Sequence, residues 1–205
     1  MFVVQGVGVV LSDPPAVRHH QEAYDSLLHQ TPGIVWNVYL RGDPNRSIHL
    51  MGWREQDDSE GFGVSPAFQK MRSETPQTGS PRSQMVGPLS PGYWDLLHDR
   101  AIAPPPTGRD ESTLGFARHA MIFVRPGREH EFERLVGNQI DALPGDGSVF
   151  TARLLRNLGR PNAYTFVVHT RSRANAEAIT LPAETIEHLD DAVYWVTMSS
   201  DWPTN

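Results

Sequence analysis

The sequence predicts an α+β protein made of two βαββαβ repeats packed sheet to sheet, and three observations carry that prediction. The order strand, helix, strand, turn, strand, helix, strand runs twice along the 205 residues. The turn signals recur with it: Pro32-Gly33 is answered by Pro144-Gly145, and Asp43-Pro44-Asn45 by Arg160-Pro161-Asn162. Finally, one such repeat carries helices on a single face of its sheet. The bare face needs a cover, and a second repeat in the same chain supplies one.

The elements follow in order. An apolar strand, Phe2 to Leu11, leads to Asp13-Pro14-Pro15, a helix opening with proline in the first turn. The helix AVRHHQEAYDSLLHQ stops at Thr31-Pro32-Gly33. Strand IVWNVYL, turn RGDPN and strand RSIHLMGWRE come next, then a helix through SPAFQKMRS. The run REQDDSE reads as a strand end and helix opening, where acids suit the helix N-terminus. A long Pro/Ser/Gly-rich loop over residues 73–92 leads to a last strand, GYWDLLHDR. The second repeat opens with GFARHAMIFV, turns at Arg125-Pro126-Gly127 and enters the helix REHEFERLVGNQIDAL. Strands SVFTARLLRN and AYTFVVHTR flank the turn LGRPN, a helix is expected through RANAEAITLPAETIEHL, and AVYWVTMSS closes the chain. Both last strands carry Tyr-Trp, at Tyr93-Trp94 and Tyr194-Trp195. The expected organisation is a first domain over 1–103, a Pro-rich linker over 104–112 and a second domain over 113–205.

Composition narrows the chemistry. A net charge of -6 and a pI near 5.8 argue against nucleic acid as a partner, because a phosphate-tracking surface needs excess Lys and Arg. No basic amphipathic run suggests a membrane surface, and MFVVQGVGVVLSD reads as a strand rather than a signal segment, so a cytoplasmic protein is expected. The absence of cysteine removes disulfides, thiolate metal sites and thiol catalysis. Gly6 and Gly8 form a GxG without the remainder of a dinucleotide fingerprint. His19 and His20 are adjacent on a helix, about 100° apart, unlike the i, i+4 pair that converges on a metal.

The stretches DPNRSIHLMGWRE and SPAF in the first half, and VRPGREHEFERL and RPNAYTFVVHTRS in the second, carry a family pattern. The chain resembles the antibiotic biosynthesis monooxygenase family over nearly its whole length. The resemblance implies ferredoxin-like units paired as a dimeric α+β barrel, here fused into an intramolecular pseudo-dimer, with further self-association left open. It also implies a cofactor-independent oxygenase, with O2 as co-substrate and no metal. Its reaction would oxidise an anthrone-type polycyclic polyketide to a quinone or hydroxylated product in antibiotic biosynthesis. Two other readings suit the same fold: a non-redox polyketide cyclase or isomerase, and a non-catalytic ligand-binding protein. The family tryptophan matches Trp53, while the second copy has Thr170 there. Phe62 and Ala178 stand where a family histidine is common, and the first strand lacks the asparagine of the haem-degrading branch, so haem chemistry is not expected.

On this basis Trp53 is expected to clamp a flat substrate and donate its indole N–H to a carbonyl or developing oxyanion. His49 shares its strand face by alternation, and an ordinary pKa of about 6.5 makes it the base candidate. Trp36, Met51, Phe62, Phe68 and His119 are the expected substrate-lining residues. Each also has a plain structural reading as core. His169, which should face away from Thr170, is expected at the interface between the sheets, and Arg118 in an ion pair.

Overall fold

The computed structural model describes residues 1–9, 14–42, 46–74, 84–85, 92–106 and 114–199. Turn residues 43–45, most of the 73–92 loop and the linker from residue 107 lie outside them. The first repeat comprises β1 (Phe2–Val9), α1 (Pro14–His29), β2 (Ile34–Gly42), β3 (Arg46–Trp53), α2 (Gln56–Val64), α3 (Pro66–Glu74), the two-residue β4 (Gln84–Met85) and β5 (Gly92–Ala101). The second comprises β6 (Phe116–Val124), α4 (Glu129–Asp141), β7 (Val149–Asn157), β8 (Ala163–Thr170), α5 (Arg173–Glu177) and β9 (Ile186–Ser199).

Both repeats have the ferredoxin-like strand order, β5-β1-β3-β2 and β9-β6-β8-β7, with every pairing antiparallel. They do not stack as two separate sheets. Pairings β2–β9 and β5–β7 join them edge to edge, and the β1–β3 pairing closes eight strands into a barrel, with β4 added beside β1. Closure removes the exposed strand edges that would otherwise invite further pairing. The last strand of each repeat makes the exchange. Most of β5 pairs with β7, from Trp94 opposite Asn157 to Ala101 opposite Thr151, and the end of β9 pairs with β2. Arg100 of β5 then donates to the carbonyls of Ile140, Asp141 and Leu143, capping the C-terminal end of α4 in the other repeat.

Two-residue alternation gives each strand an inner and an outer face. The inner faces of all eight barrel strands meet in one apolar cluster that includes Val3, Trp36, Leu50, Trp94, Leu155, Val167 and Tyr194. Outside, α4 covers the second repeat with Phe132, Val136 and Ile140, while the outer side of β1 and β3 meets Leu28 and Phe62 in a smaller aromatic layer. Gln5 and His119 occupy equivalent positions on the two first strands and meet across the lumen, His119 Nε2 lying 3.1 Å from Gln5 Oε1.

Several sequence expectations are corrected. The predicted helix over 173–189 is only the short α5, followed by a 3₁₀ turn at Ala183–Thr185, and residues from Ile186 onward belong to β9. Pro182 interrupts the helical run. Pairing of Ile186 to Trp195 with β6 then outweighs local helix preference. The helical region after β3 is two helices, broken before Pro66. The Tyr-Trp pairs are not equivalent: Val3 faces Trp94 where Ala117 faces Tyr194, so the second pair is shifted by one residue. His169 does sit on the inner face, its Nε2 within 2.6 Å of the Leu114 carbonyl, and Arg118 does form an ion pair, with Asp191.

Both repeats share an irregularity that the turn signals do not reveal. The pairing register shifts between Ile34 and Trp36 and again between Val149 and Thr151. Such a bulge reverses which face the following residues present. Trp36 therefore points into the lumen, where the Arg153 guanidinium lies 4.0 Å above its ring and pairs with Asp99. Its indole lies across Gly52, and a Cβ added there would come within 2.3 Å of Trp36 Cε2. Gly52→Ala is accordingly expected to cost about 1–3 kcal/mol through overpacking, seen as a lower thermal midpoint. Gly61→Ala, in α2 with no atom within 4 Å of the added carbon, is the control that should hold or raise the midpoint.

Candidate functional site

The outer layer of the first repeat opens into a cleft of about 480 Å³ between β1, β3, α1, α2 and α3, within the roughly 300–1,000 Å³ range of small-molecule sites. Trp53 and Met51 from β3 and Phe2 and Val4 from β1 form the floor. Tyr24 of α1, Phe62 of α2 and Phe68 of α3 enclose it, and ring centroids 4.8 to 5.9 Å apart link these three aromatics in one packed group. Tyr93 of β5 stacks on Phe2 at 5.8 Å and forms the lip. The second repeat contributes Leu158, whose backbone N–H donates to the Tyr93 carbonyl at 3.0 Å. Tyr93 and Leu158 are about half exposed, at 51% and 48%, so the mouth carries an apolar lip.

Trp53 is 1% exposed and 5.4 Å from Phe62, ring centre to ring centre. Its Nε1–H is buried and has no hydrogen-bond partner. An unmet buried donor costs about 1–3 kcal/mol. This is the cleft's most informative polar group.

His49, Met51 and Trp53 do share one face, as alternation requires, but His49 lies behind the cleft rather than on its wall. Its ring stacks on Tyr39 at 3.7 Å and meets Tyr24 edge-on at 5.3 Å. Burial holds its pKa down at about 3, so the imidazole is neutral at physiological pH, and its Nε2 has no partner. Burial likewise pushes the Tyr24 and Tyr39 phenols up. Asn37 on the same face donates to Asp25 of α1 at 3.0 Å, tying that helix to the sheet.

Of the seven sequence candidates, Trp53, Met51, Phe62 and Phe68 come together at the cleft. Trp36 and His119 do not, because both face the barrel lumen. Trp36 is turned there by the bulge, and His119 is on the inner side of β6, where burial lowers its pKa to about 3. Phe2, Tyr24, Gln56, Ser59, Glu60 and Leu158 also line the cleft, outside the residues expected from strand alternation. A helical signal was present for two groups of them. Tyr24, Leu27 and Leu28 mark the apolar stripe of α1, and Gln56, Ser59, Glu60 and Gly63 recur at i, i+3, i+4 and i+7 on α2.

The second repeat fills the corresponding space. Strand pairing makes Leu154 equivalent to Tyr39, Phe166 to His49, Val168 to Met51 and Thr170 to Trp53. Phe166, Leu154 and Val168 are fully buried with Phe132 and Tyr164. The Thr170 hydroxyl lies 2.9 Å from the Ser172 carbonyl and 3.1 Å from that of Phe116, either of which can accept its proton.

At the level of sequence, no family model matches the chain, and no curated protein does. The fold is shared more widely. A candidate monooxygenase from Fusobacterium nucleatum subsp. nucleatum superposes with a TM-score of 0.77 over 100% of this chain and 95% of its own, at 12% identity. A second candidate monooxygenase, from Lactobacillus acidophilus NCFM, gives 0.66 over 97% and 96%, at 9% identity. An anthrone oxidase-like protein gives 0.59 over 97% and 92%, at 12% identity. The chain thus shares the fold of these solved structures. The likeness to each of these chains spans both repeats, so the tandem barrel is common to them. Fold and activity separate readily, so the reaction has to be argued from the cleft. Among the described residues no helix is long and apolar enough to cross a membrane.

Proposed function

We propose that the chain is a cofactor-independent monooxygenase that oxidises a flat, anthrone-type aromatic in the cleft of its first repeat, with O2 as co-substrate. The unpartnered Trp53 N–H beneath an aromatic enclosure carries this reading. Ring faces of Tyr24, Phe62 and Phe68 suit a planar polycycle, and the N–H supplies the one thing such a substrate develops during reaction, a hydrogen bond to a growing oxyanion. The N–H is fully covered by neighbouring side chains, so contact with a substrate oxygen requires one of them to move.

In the reaction, the activated CH2 of the substrate loses a proton and its negative charge delocalises onto the ring carbonyl oxygen. That anion passes one electron to O2. The resulting radicals combine at carbon, and loss of water leaves C=O, so CH2 and O2 become C=O and H2O. The protein binds, orients, excludes water and stabilises the anion. His49 is not the base in this scheme: it stands behind Tyr24, and a conjugate acid with a pKa of about 3 accepts protons poorly near neutrality.

The test is oxygen uptake with product mass on adding anthrone to the purified protein, against the spontaneous rate. Uptake with a gain of one oxygen and loss of two hydrogens is the expected result. Turnover that leaves oxygen unconsumed would point to a cyclase or isomerase, and binding without product to a ligand carrier. The pH profile of kcat/KM should show no inflection near 6.5, because His49 stays neutral from there down towards pH 3. A clear histidine-like inflection there would restore it as the base.

A further inference from the structure

The cleft has one polar wall, and that wall is the face of α2. Gln56, Ser59, Glu60 and Gly63 line it at helical spacing, opposite the apolar lip of Tyr93 and Leu158. Gln56 Nε2 donates to Glu60 Oε1 at 2.7 Å, an i, i+4 pair on the exposed side of α2 that orients the carboxylate and leaves its second oxygen without a partner among the described residues. No lysine, arginine or histidine is among the described residues lining the cleft. A ligand carboxylate or phosphate would meet no counter-charge there, and Glu60 would repel it. A ligand hydroxyl would instead find an ionised acceptor, and hydrogen bonds to charged groups are about twice as strong as neutral ones.

We propose that Glu60, braced by Gln56, accepts a hydrogen bond from a phenolic hydroxyl on the substrate's edge, so the cleft selects neutral hydroxylated aromatics and rejects anionic ones. The assignment rests on the cleft being the substrate site, as the oxygenase reading has it, but it concerns recognition and not the redox step. An aromatic spanning the cleft would place its apolar edge at Tyr93 and Leu158 and its hydroxylated edge along α2. Such a site also discriminates against the O-methylated analogue, which leaves the carboxylate unpaired as water is displaced.

Calorimetric binding of three unreactive planar probes at pH 6, where the phenols stay protonated, tests this: 2,6-dihydroxyanthraquinone, its dimethyl ether and anthraquinone-2-carboxylate. The wild-type protein should prefer the diol over the ether by about tenfold and bind the carboxylate most weakly. Glu60→Ala should abolish the diol preference and raise ether affinity, since no carboxylate is then left unpaired, and Glu60→Gln should strengthen carboxylate binding. Equal affinities for diol and ether, a preference that survives Glu60→Ala, or tightest binding of the carboxylate would each overturn the assignment. So would failure of all three probes to bind. Oxygen uptake is scored separately: diol selectivity without uptake leaves the Glu60 assignment standing and removes the oxygenase reading, and uptake without selectivity does the reverse.

Discussion

Trp53→Phe is expected to lower oxygen-dependent turnover of anthrone by about 10²–10³-fold, the range found when one preorganised donor to a developing oxyanion is removed. Phenylalanine keeps an aromatic ring on the floor beside Phe62, so substrate affinity should fall far less than kcat. Stability should change little, because two effects oppose each other. The smaller ring leaves a void among fully packed neighbours. The change also removes a buried N–H that has no partner, relieving a desolvation penalty of about 1–3 kcal/mol. A thermal melt beside the turnover assay separates these contributions. Unchanged kcat in a folded variant would take Trp53 out of the reaction and leave it as core.

Acid should unfold the protein well above the usual carboxylate range. His49 and His119 are both held neutral by burial, each with a pKa of about 3 in the fold, and the Arg46 charge adds to the effect at His119. In the unfolded chain both return to about 6.5. Between those values the unfolded state binds more protons, so their contribution is complete above pH 6.5 and is lost progressively as pH falls towards 3. Each histidine contributes a slope of up to about 1.4 kcal/mol per pH unit. Together they would remove on the order of 5 kcal/mol by pH 4.5, comparable with the whole stability of a modest domain. Urea midpoints at pH 7.5, 6.0 and 5.0 measure the slope. His49→Phe should remove about half of it and be tolerated, since Phe166 occupies the equivalent place in the second repeat. His119→Gln should remove the other half. A flat response from pH 7 to 5 would show that neither imidazole is buried as the packing implies.

How far the site was legible depended on which interactions position each residue. Trp53, Met51 and His49 could be grouped on one face from alternation alone, because their relation is set within a single strand. Whether each member reaches the cleft could not be read that way. His49 is screened by Tyr24, a residue of α1 whose place depends on how the helix docks. Trp36 was misplaced for a different reason: one bulged residue at the start of β2 reverses its face, and no turn residue announces it. His119 was correctly aligned with Met121 and Phe123, yet the face they share became the barrel lumen once the ring closed.

Local sequence was enough for the double βαββαβ order, most of its strands and helices and the aromatic outer face of β3. These depend on local preferences, alternation and turn chemistry, which act over a few residues. The α+β barrel that the family resemblance implies is present, but which strand edges close it, β2 to β9 and β5 to β7, came only from the tertiary structure. Tertiary structure also decided that Phe2, Tyr24, Glu60, Tyr93 and Leu158, distant in the chain and from both repeats, converge on one cleft while the second is filled. The reason is physical: those outcomes depend on pairing unsatisfied strand edges and burying whole faces, gains that appear only when distant segments meet.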